Sequence, residues 1–180
     1  MKYRLVALFD DESSKHLQTT QRNLCKRYRI YKSNQQLHIP IQTVIDPDIE
    51  KFDKIITDTL GPYKKFKVQI KKDIYLDKFS KYVNLRVQNK GYINRIARNI
   101  SDTLILSGFN IKNNYNDLHI YLANSNYALR KSLNNLSSVA LTTKNNNIDF
   151  YFAKVNKLEL WKLLNNKKEV LIKTYSLRDY

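Results

Sequence analysis

Leu37-His38-Ile39-Pro40-Ile41 and Leu118-His119-Ile120-Tyr121-Leu122 open on the same tripeptide, and their histidines stand 81 positions apart. They are two of only three histidines in the chain. Both stretches have the length and apolar content of strands, and on a strand successive side chains point to opposite faces. Leu37, Ile39 and Ile41 therefore face a core, while His38, Pro40 and Gln42 face away from it. In the second stretch Leu118, Ile120 and Leu122 face inward, and His119 and Tyr121 face out with Ala123.

What precedes each histidine is also alike. Residues 3–9 form an apolar run of strand length, and residues 13–28 carry Leu17, Leu24 and Tyr28 at helical spacing behind the capping residues Asp10 and Asp11. Residues 37–45 then read as a strand. The later copy has a strand at 82–87, with Val83, Leu85 and Val87 on one face, then a helix over 92–106 with Ile93, Ile96, Ala97, Ile100 and Leu104 on one stripe. That helix ends at Gly108, a left-handed cap, and a strand follows at 118–123. Strand, helix, strand thus occurs over residues 3–45 and again over 82–123. Between the copies, Asp46-Pro47-Asp48 opens a helix with Ile49, Phe52, Ile55, Ile56 and Leu60 on one face, stopped by Gly61-Pro62. Phe66, Val68 and Ile70 then alternate with Lys65, Lys67, Gln69 and Lys71, a half-buried strand with a basic outer face. Residues 148–155, 158–163 and 170–177 read as further strands. The result is an α+β protein with two similar lobes, one two-lobed domain over 1–180. Pseudo-twofold packing of the lobes sets the two histidine rows across one cleft.

Composition narrows the chemistry. In 180 residues there are 32 Lys and Arg against 16 Asp and Glu, a formal charge of +16. A chain this long buries roughly 70% of the surface its unfolded form exposes, so its core needs no disulfide or metal. Cys25 has no partner cysteine, and one Cys with three His is too few for a structural zinc site. The apolar run at 3–9 is short and ends in Asp10, Asp11 and Glu12, which suits neither a signal peptide nor a membrane span. The expectation is a soluble, cytoplasmic monomer with no metal, no cofactor and no membrane partner. The charge admits two readings: solubility in a Lys-rich composition, or an anionic partner such as RNA, for which 13 Tyr and 7 Phe supply stacking faces.

Two imidazoles across one cleft, each with an ordinary pKa near 6.5, suit a general base and a general acid at neutral pH. His16 has no place in the repeat and reads as a solvated helix residue. On these residues the sequence resembles the two-histidine (2H) phosphoesterases, which include the RNA 2′,5′-ligase-like proteins and RNA 2′,3′-cyclic phosphodiesterases. Their signature, His-apolar-Thr or Ser-apolar, occurs twice about eighty residues apart; His38-Ile39-Pro40-Ile41 and His119-Ile120-Tyr121-Leu122 occupy those places. The strand at 3–9, the Gly108-Phe109 turn, Leu158-Glu159-Leu160-Trp161 and Tyr175-Ser176-Leu177 are similar to further landmarks of that family.

The resemblance implies two antiparallel sheets with helices on their outer faces enclosing a central cleft. It also implies a metal-independent hydrolase acting on RNA or nucleotide phosphodiesters such as 2′,3′-cyclic phosphates, with His38 and His119 catalytic. In the family the hydroxyl two residues after each His holds a phosphate oxygen. Pro40 has neither hydroxyl nor N–H, and a proline within a strand marks an edge or a bulge. Tyr121 keeps a hydroxyl but carries it a ring length further out, to meet a displaced phosphate or to stack on a base. Gln42 is the expected substitute donor, and Thr43 reaches the cleft only where a bulge at Pro40 shifts the alternation. Arg86 is the expected phosphate grip among the cations, with Lys65, Lys67, Lys71 and Lys72 either a basic rim or a solvated face. Tyr3, Tyr82 and Trp161 are candidate base-stacking residues or simple packing. The alternative to an enzyme is a non-catalytic RNA- or nucleotide-binding protein that keeps the fold without the phosphate-binding hydroxyls. A third reading is a basic protein with no nucleic-acid role.

Overall fold

The computed structural model describes residues 1–33, 35–77, 81–112, 118–133, 139–140, 150–165 and 168–179. Strand β1 (Lys2–Phe9) leads into helix α1 (Asp11–Tyr28), and β2 (Ile39–Ile45) into α2 (Ile49–Leu60). After these come β3 (Phe66–Leu76), β4 (Tyr82–Val87), α3 (Gly91–Leu106), β5 (Asn110–Lys112), β6 (His119–Asn124) and α4 (Tyr127–Leu133). The chain closes with β7 (Val139–Ala140), β8 (Phe150–Leu163) and β9 (Glu169–Ser176). Of the two expected caps of α1, Asp10 is the N-cap and Asp11 lies in the first turn, while α2 starts after Asp48, beyond Pro47. Asp10 accepts from the Ser13 N–H at 2.9 Å and Asp48 from the Lys51 N–H at 3.1 Å, each satisfying a donor the first turn leaves unpaired. No helix among the described residues is long and apolar enough to cross a membrane.

The strands form one antiparallel sheet in the order β5-β2-β1-β8-β3-β4-β6, with β7 beside β3 and β9 beside β8. The two lobes are thus halves of one sheet. They are joined by β8, whose first half pairs with β3 and whose second half pairs with β1 on one edge and β9 on the other. The sequence read two strands here because the core-facing period slips: Ala153 and Val155 are buried, then Leu158 and Leu160. The slip is a bulge at Asn156, since Phe9 pairs with Val155 and Leu8 with Lys157. Residues 148–149 of the expected strand lie outside the described residues. The short β5, α4 and β7 were not expected from the pattern.

The duplication is real at the level of topology. β1-α1-β2 and β4-α3-β6 each place two neighbouring antiparallel strands on either side of a helix in sequence. The halves also exchange their connections. The segment after α1 runs to the far lobe, where Lys32 bridges Ala123 and the Ser33 N–H donates to the Leu122 carbonyl at 3.3 Å. The segment after α3 returns the exchange, with β5 pairing along β2 from Thr43 to Ile45. Gln21, on the buried stripe of α1 with Leu17 and Leu24, donates its amide to the same Leu122 carbonyl at 2.7 Å. These ties curl the sheet until β2 and β6, near its two ends, lie against each other.

Helix α1 packs on β1, β8 and β6, and α3 on β2, β3 and β5, with α2 against α3. The core beneath them takes Leu5, Ala7 and Phe9 from β1, Ile39 and Ile41 from β2, and Ile120 and Leu122 from β6. Val6, Leu8 and Trp161 form a separate small cluster on the opposite face of the sheet, the face without helices.

Helix α3 ends at Leu106, and Gly108 turns the chain out of it with φ of 79°, placing the Phe109 ring 6.0 Å from Phe52. A Cβ at Gly108 meets nothing within 4 Å, so the cost of a side chain there is backbone strain alone. Gly108→Ala is expected to destabilise the protein by about 1 kcal/mol, read as a lower urea midpoint with an unchanged m-value.

Candidate active site

The register of each histidine strand fixes which side chains share its face. Ile39 pairs with Ala7 and Pro40 with Val6; then Ile41 is extra, and Gln42 pairs with Leu5 and Thr43 with Arg4. In the other half His119 pairs with Arg86, Ile120 with Leu85 and Tyr121 with Asn84; then Leu122 is extra, and Ala123 pairs with Val83 and Asn124 with Tyr82. Each strand therefore bulges at the third residue after its histidine. A bulge inverts the alternation beyond it.

Two expectations are corrected by this break. Gln42 faces the helices: it is fully buried, and its amide donates to the Lys112 carbonyl of β5 at 2.6 Å, so it supplies nothing to the cleft. Ala123 likewise lies in the core rather than with His119 and Tyr121. Thr43 is carried the other way, onto the cleft face opposite Arg4. The first half of the cleft face thus carries His38, Pro40 and Thr43, with Val6 and Arg4 on β1 and Glu159 and Trp161 on β8. The second half carries His119, Tyr121 and Asn124, with Arg86, Asn84 and Tyr82 on β4 and Tyr75 on β3.

His38 is 6% exposed. Its Nδ1–H donates to the Gln36 carbonyl at 2.7 Å, since a carbonyl only accepts, and this leaves Nε2 with the free lone pair. Its ring meets Trp161 edge-on, with centroids 4.7 Å apart and planes at 75°. Trp161 is itself held by donating Nε1–H to Glu159 at 2.7 Å, and Glu159 also pairs with Lys157 at 2.8 Å. Burial pushes the His38 pKa down to about 4, helped by the positive charges of Arg4 and His119 and opposed by the Gln36 hydrogen bond. At neutral pH His38 is a neutral, oriented imidazole, the form a general base requires. The action of the His119 charge on His38 brings together two residues from opposite ends of the sheet.

In the second half His119 is partly buried and stands directly opposite Arg86. The exposed Arg86 guanidinium lies 4.9 Å over the Tyr75 ring. The Tyr121 ring packs against Tyr82 at 4.7 Å, and its hydroxyl is hydrogen-bonded to the Ser33 side chain; burial and the neighbouring Tyr82 raise its pKa. Asn84, 2% exposed, has a buried Oδ1 with no partner among the described residues. Among the remaining expected residues, Trp161 lies on the cleft face while Tyr3 packs against the core. Lys65 is tied to Asp179 at 2.6 Å, Lys67 is exposed opposite Lys154, and Lys71 pairs with Phe150. His16 is exposed on α1 with its ring 4.8 Å from Tyr151, away from the other two histidines.

Arg4 and Glu159 escaped the sequence reading. Residues 5–9 are apolar without a break, so alternation does not say which row of β1 turns from the helices. The signal that finds Arg4 is the bulge, visible in sequence only as Pro40.

The displaced pKa has a consequence for stability. The unfolded chain binds a proton at His38 near pH 6.5 and the native protein only near 4. The native state therefore loses stability as pH falls through that window, by roughly 3 kcal/mol at its lower end. Urea unfolding at pH 7 and pH 4 should show this loss, His38→Gln should remove it, and the His38 ring resonances should titrate near 4 in NMR spectra.

No family model and no curated protein sequence matches the chain. Solved structures do. E. coli LigT complexed with 3′-AMP superposes with a TM-score of 0.62 at 14% identity, covering 99% of this chain and 98% of that one. A crystal structure described as a phosphoesterase gives 0.62 at 14% over the same shares. TT0787 of Thermus thermophilus gives 0.63 at 13%, covering 99% of each chain. What is common at this identity is the fold, over the full length: the chain has the fold of LigT, of the structure described as a phosphoesterase and of TT0787.

Proposed function

We propose that the protein is a metal-independent phosphodiesterase acting on RNA or nucleotide phosphodiesters such as 2′,3′-cyclic phosphates, with His38 and His119 as its acid–base pair. The observation that carries this reading is His38: buried, neutral, fixed through Nδ1, and within the field of a second histidine from the other half of the sheet. Structures of LigT with ATP, 3′-AMP and NADP⁺ support a nucleotide as the ligand class.

In the hydrolytic direction Nε2 of His38 takes a proton from water as its oxygen bonds to phosphorus. The bond from phosphorus to one of the two ribose oxygens breaks, and protonated His119 gives that departing oxygen a proton. A base must be neutral and an acid charged. Burial under Trp161 favours the first state for His38, which assigns the acid's role to His119. In the reverse direction the two roles exchange.

A second reading, nucleotide binding without turnover, draws on Pro40, which offers no hydroxyl, and on Tyr121, whose hydroxyl is engaged by Ser33. One experiment separates the two: 2′,3′-cyclic AMP and short oligoribonucleotides ending in a 2′,3′-cyclic phosphate are incubated with the protein in EDTA. Turnover is expected, with His38→Ala and His119→Ala each lowering kcat by about 10² to 10⁴. The acidic limb of the pH profile should fall near 4, where His38 takes up its proton, rather than near 6.5. Activity that survives both substitutions would sink the assignment. Salt-sensitive RNA binding with no turnover would establish the second reading.

A further inference from the structure

We propose that Arg4 and Thr43 form the phosphate grip of the first half-site, in place of the hydroxyl that Pro40 lacks. The inference rests on the reading of the cleft as a phosphodiester site and names the groups that hold the anion there.

The geometry begins with the bulge at Ile41. In an unbroken strand Thr43 would face the helices with Ile39 and Ile41. The extra residue turns it to the face of His38, directly across from Arg4 on β1. Pro40 lies between His38 and Thr43 on that face and has no donor, so Thr43 carries the next hydroxyl along the row. Arg4 in turn pairs with Trp161 on β8, the residue against which His38 packs. Histidine, tryptophan, arginine and threonine thus surround one patch of the cleft.

Arg4 is available for an anion. Its contact with Glu169 is a single end-on approach of Nη1 to Oε1 at 3.4 Å, not the paired fork a guanidinium makes with a well-placed carboxylate. The rest of its five N–H donors meet no acceptor among the described residues, and the side chain is 31% exposed. Burial of the Glu169 carboxyl raises its pKa, and the Arg4 charge offsets this only in part. The Arg4 charge is also among the causes that lower the His38 pKa.

The other half does not repeat the arrangement. Where the first half has Arg4 opposite Thr43, the second has Tyr82 opposite Asn124, and its guanidinium is Arg86, across from His119. Each half therefore supplies one guanidinium, from a different register position.

The test uses 3′-AMP binding and 2′,3′-cyclic AMP turnover by the full chain. Arg4→Met should lower kcat/KM by about 10² to 10³, the usual loss of a preorganised donor, and weaken 3′-AMP binding. Thr43→Val should act in the same direction by about tenfold. Added guanidinium ion should restore part of the Arg4→Met activity, and Arg4→Met should move the acidic limb to higher pH because a cation beside His38 is gone. Pro40→Thr, which returns a hydroxyl two residues after His38, should help the Arg4→Met protein by a larger factor than it helps the wild type. If Arg4→Met, Arg4→Lys and Thr43→Val all bind and turn over within twofold of wild type while His38→Ala is dead, the grip is wrong and the phosphodiesterase reading stands. If the wild type neither binds 3′-AMP nor turns over the cyclic nucleotide, the functional reading itself fails and takes the grip with it.

Discussion

Strand β8 is the element through which the two lobes are held to one another. Val155 lies between Phe9 of β1 and Phe66 of β3, so the backbone there is paired on both edges, and the ladder passes from one lobe to the other without a gap. Lobes packed only through side chains could slide or rotate. Lobes sharing a strand are limited to the twist and curl of one sheet. The bulge at Asn156 sits beside this crossing and adds local bend. The exchanged segments at Lys32 and at β5 then draw β2 and β6 together. The position of His38 near His119 follows from covalent and hydrogen-bonded continuity rather than from a flexible closure.

The same face carries an acidic residue whose charge is fully engaged by its neighbours. Glu159 stands on the cleft face, yet its two oxygens are taken by Trp161 and Lys157, so its charge is spent on holding the wall behind His38. Glu169 is paired, loosely, with Arg4. The cations opposite, Arg86 and Lys67, are exposed. Part of the formal charge of +16 thus lies along the cleft face. Part lies elsewhere, as Lys65 with Asp179 and Lys173 with Asp53 show.

How far the sequence could be read depended on whether a feature was local. The strand-helix-strand units, the cap at Asp10, the helix start at residues 46–48 and the turn at Gly108 are all written in short spacings, and the fold bears them out. Features set by register were not legible. A bulge adds one residue to a strand without changing composition, so Gln42 and Ala123 were placed on the wrong face and Thr43 was left open. The continuity of β8 was hidden for the same reason. Arg4 was missed because an apolar run from Leu5 to Phe9 gives both faces of β1 the same appearance, and because Glu159 and Trp161, which mark that face, come more than 150 residues later.

Pro40 joins these observations. A proline gives up a ladder donor and is tolerated where a strand has an open edge or an irregularity. β5 covers β2 only from Thr43 onward, and the bulge follows Pro40 by one residue, so both conditions hold at this position. The second half shows that the bulge does not need a proline, because Leu122 is extra there after Tyr121. The irregularity therefore belongs to the fold, and proline is a residue the first half can accept because of it. With the hydroxyl gone from position 40, the groups left on that side are those the bulge and β1 deliver, Thr43 and Arg4. The two halves of the cleft, alike in topology down to the position of a bulge, are thus unlike in chemistry. One is polar and charged around a buried histidine, and the other is lined by Tyr75, Tyr82 and Tyr121 around a partly exposed one. The two histidines that the sequence presents as equivalent thus stand in unequal surroundings, one buried against Trp161 and one partly exposed beside Arg86.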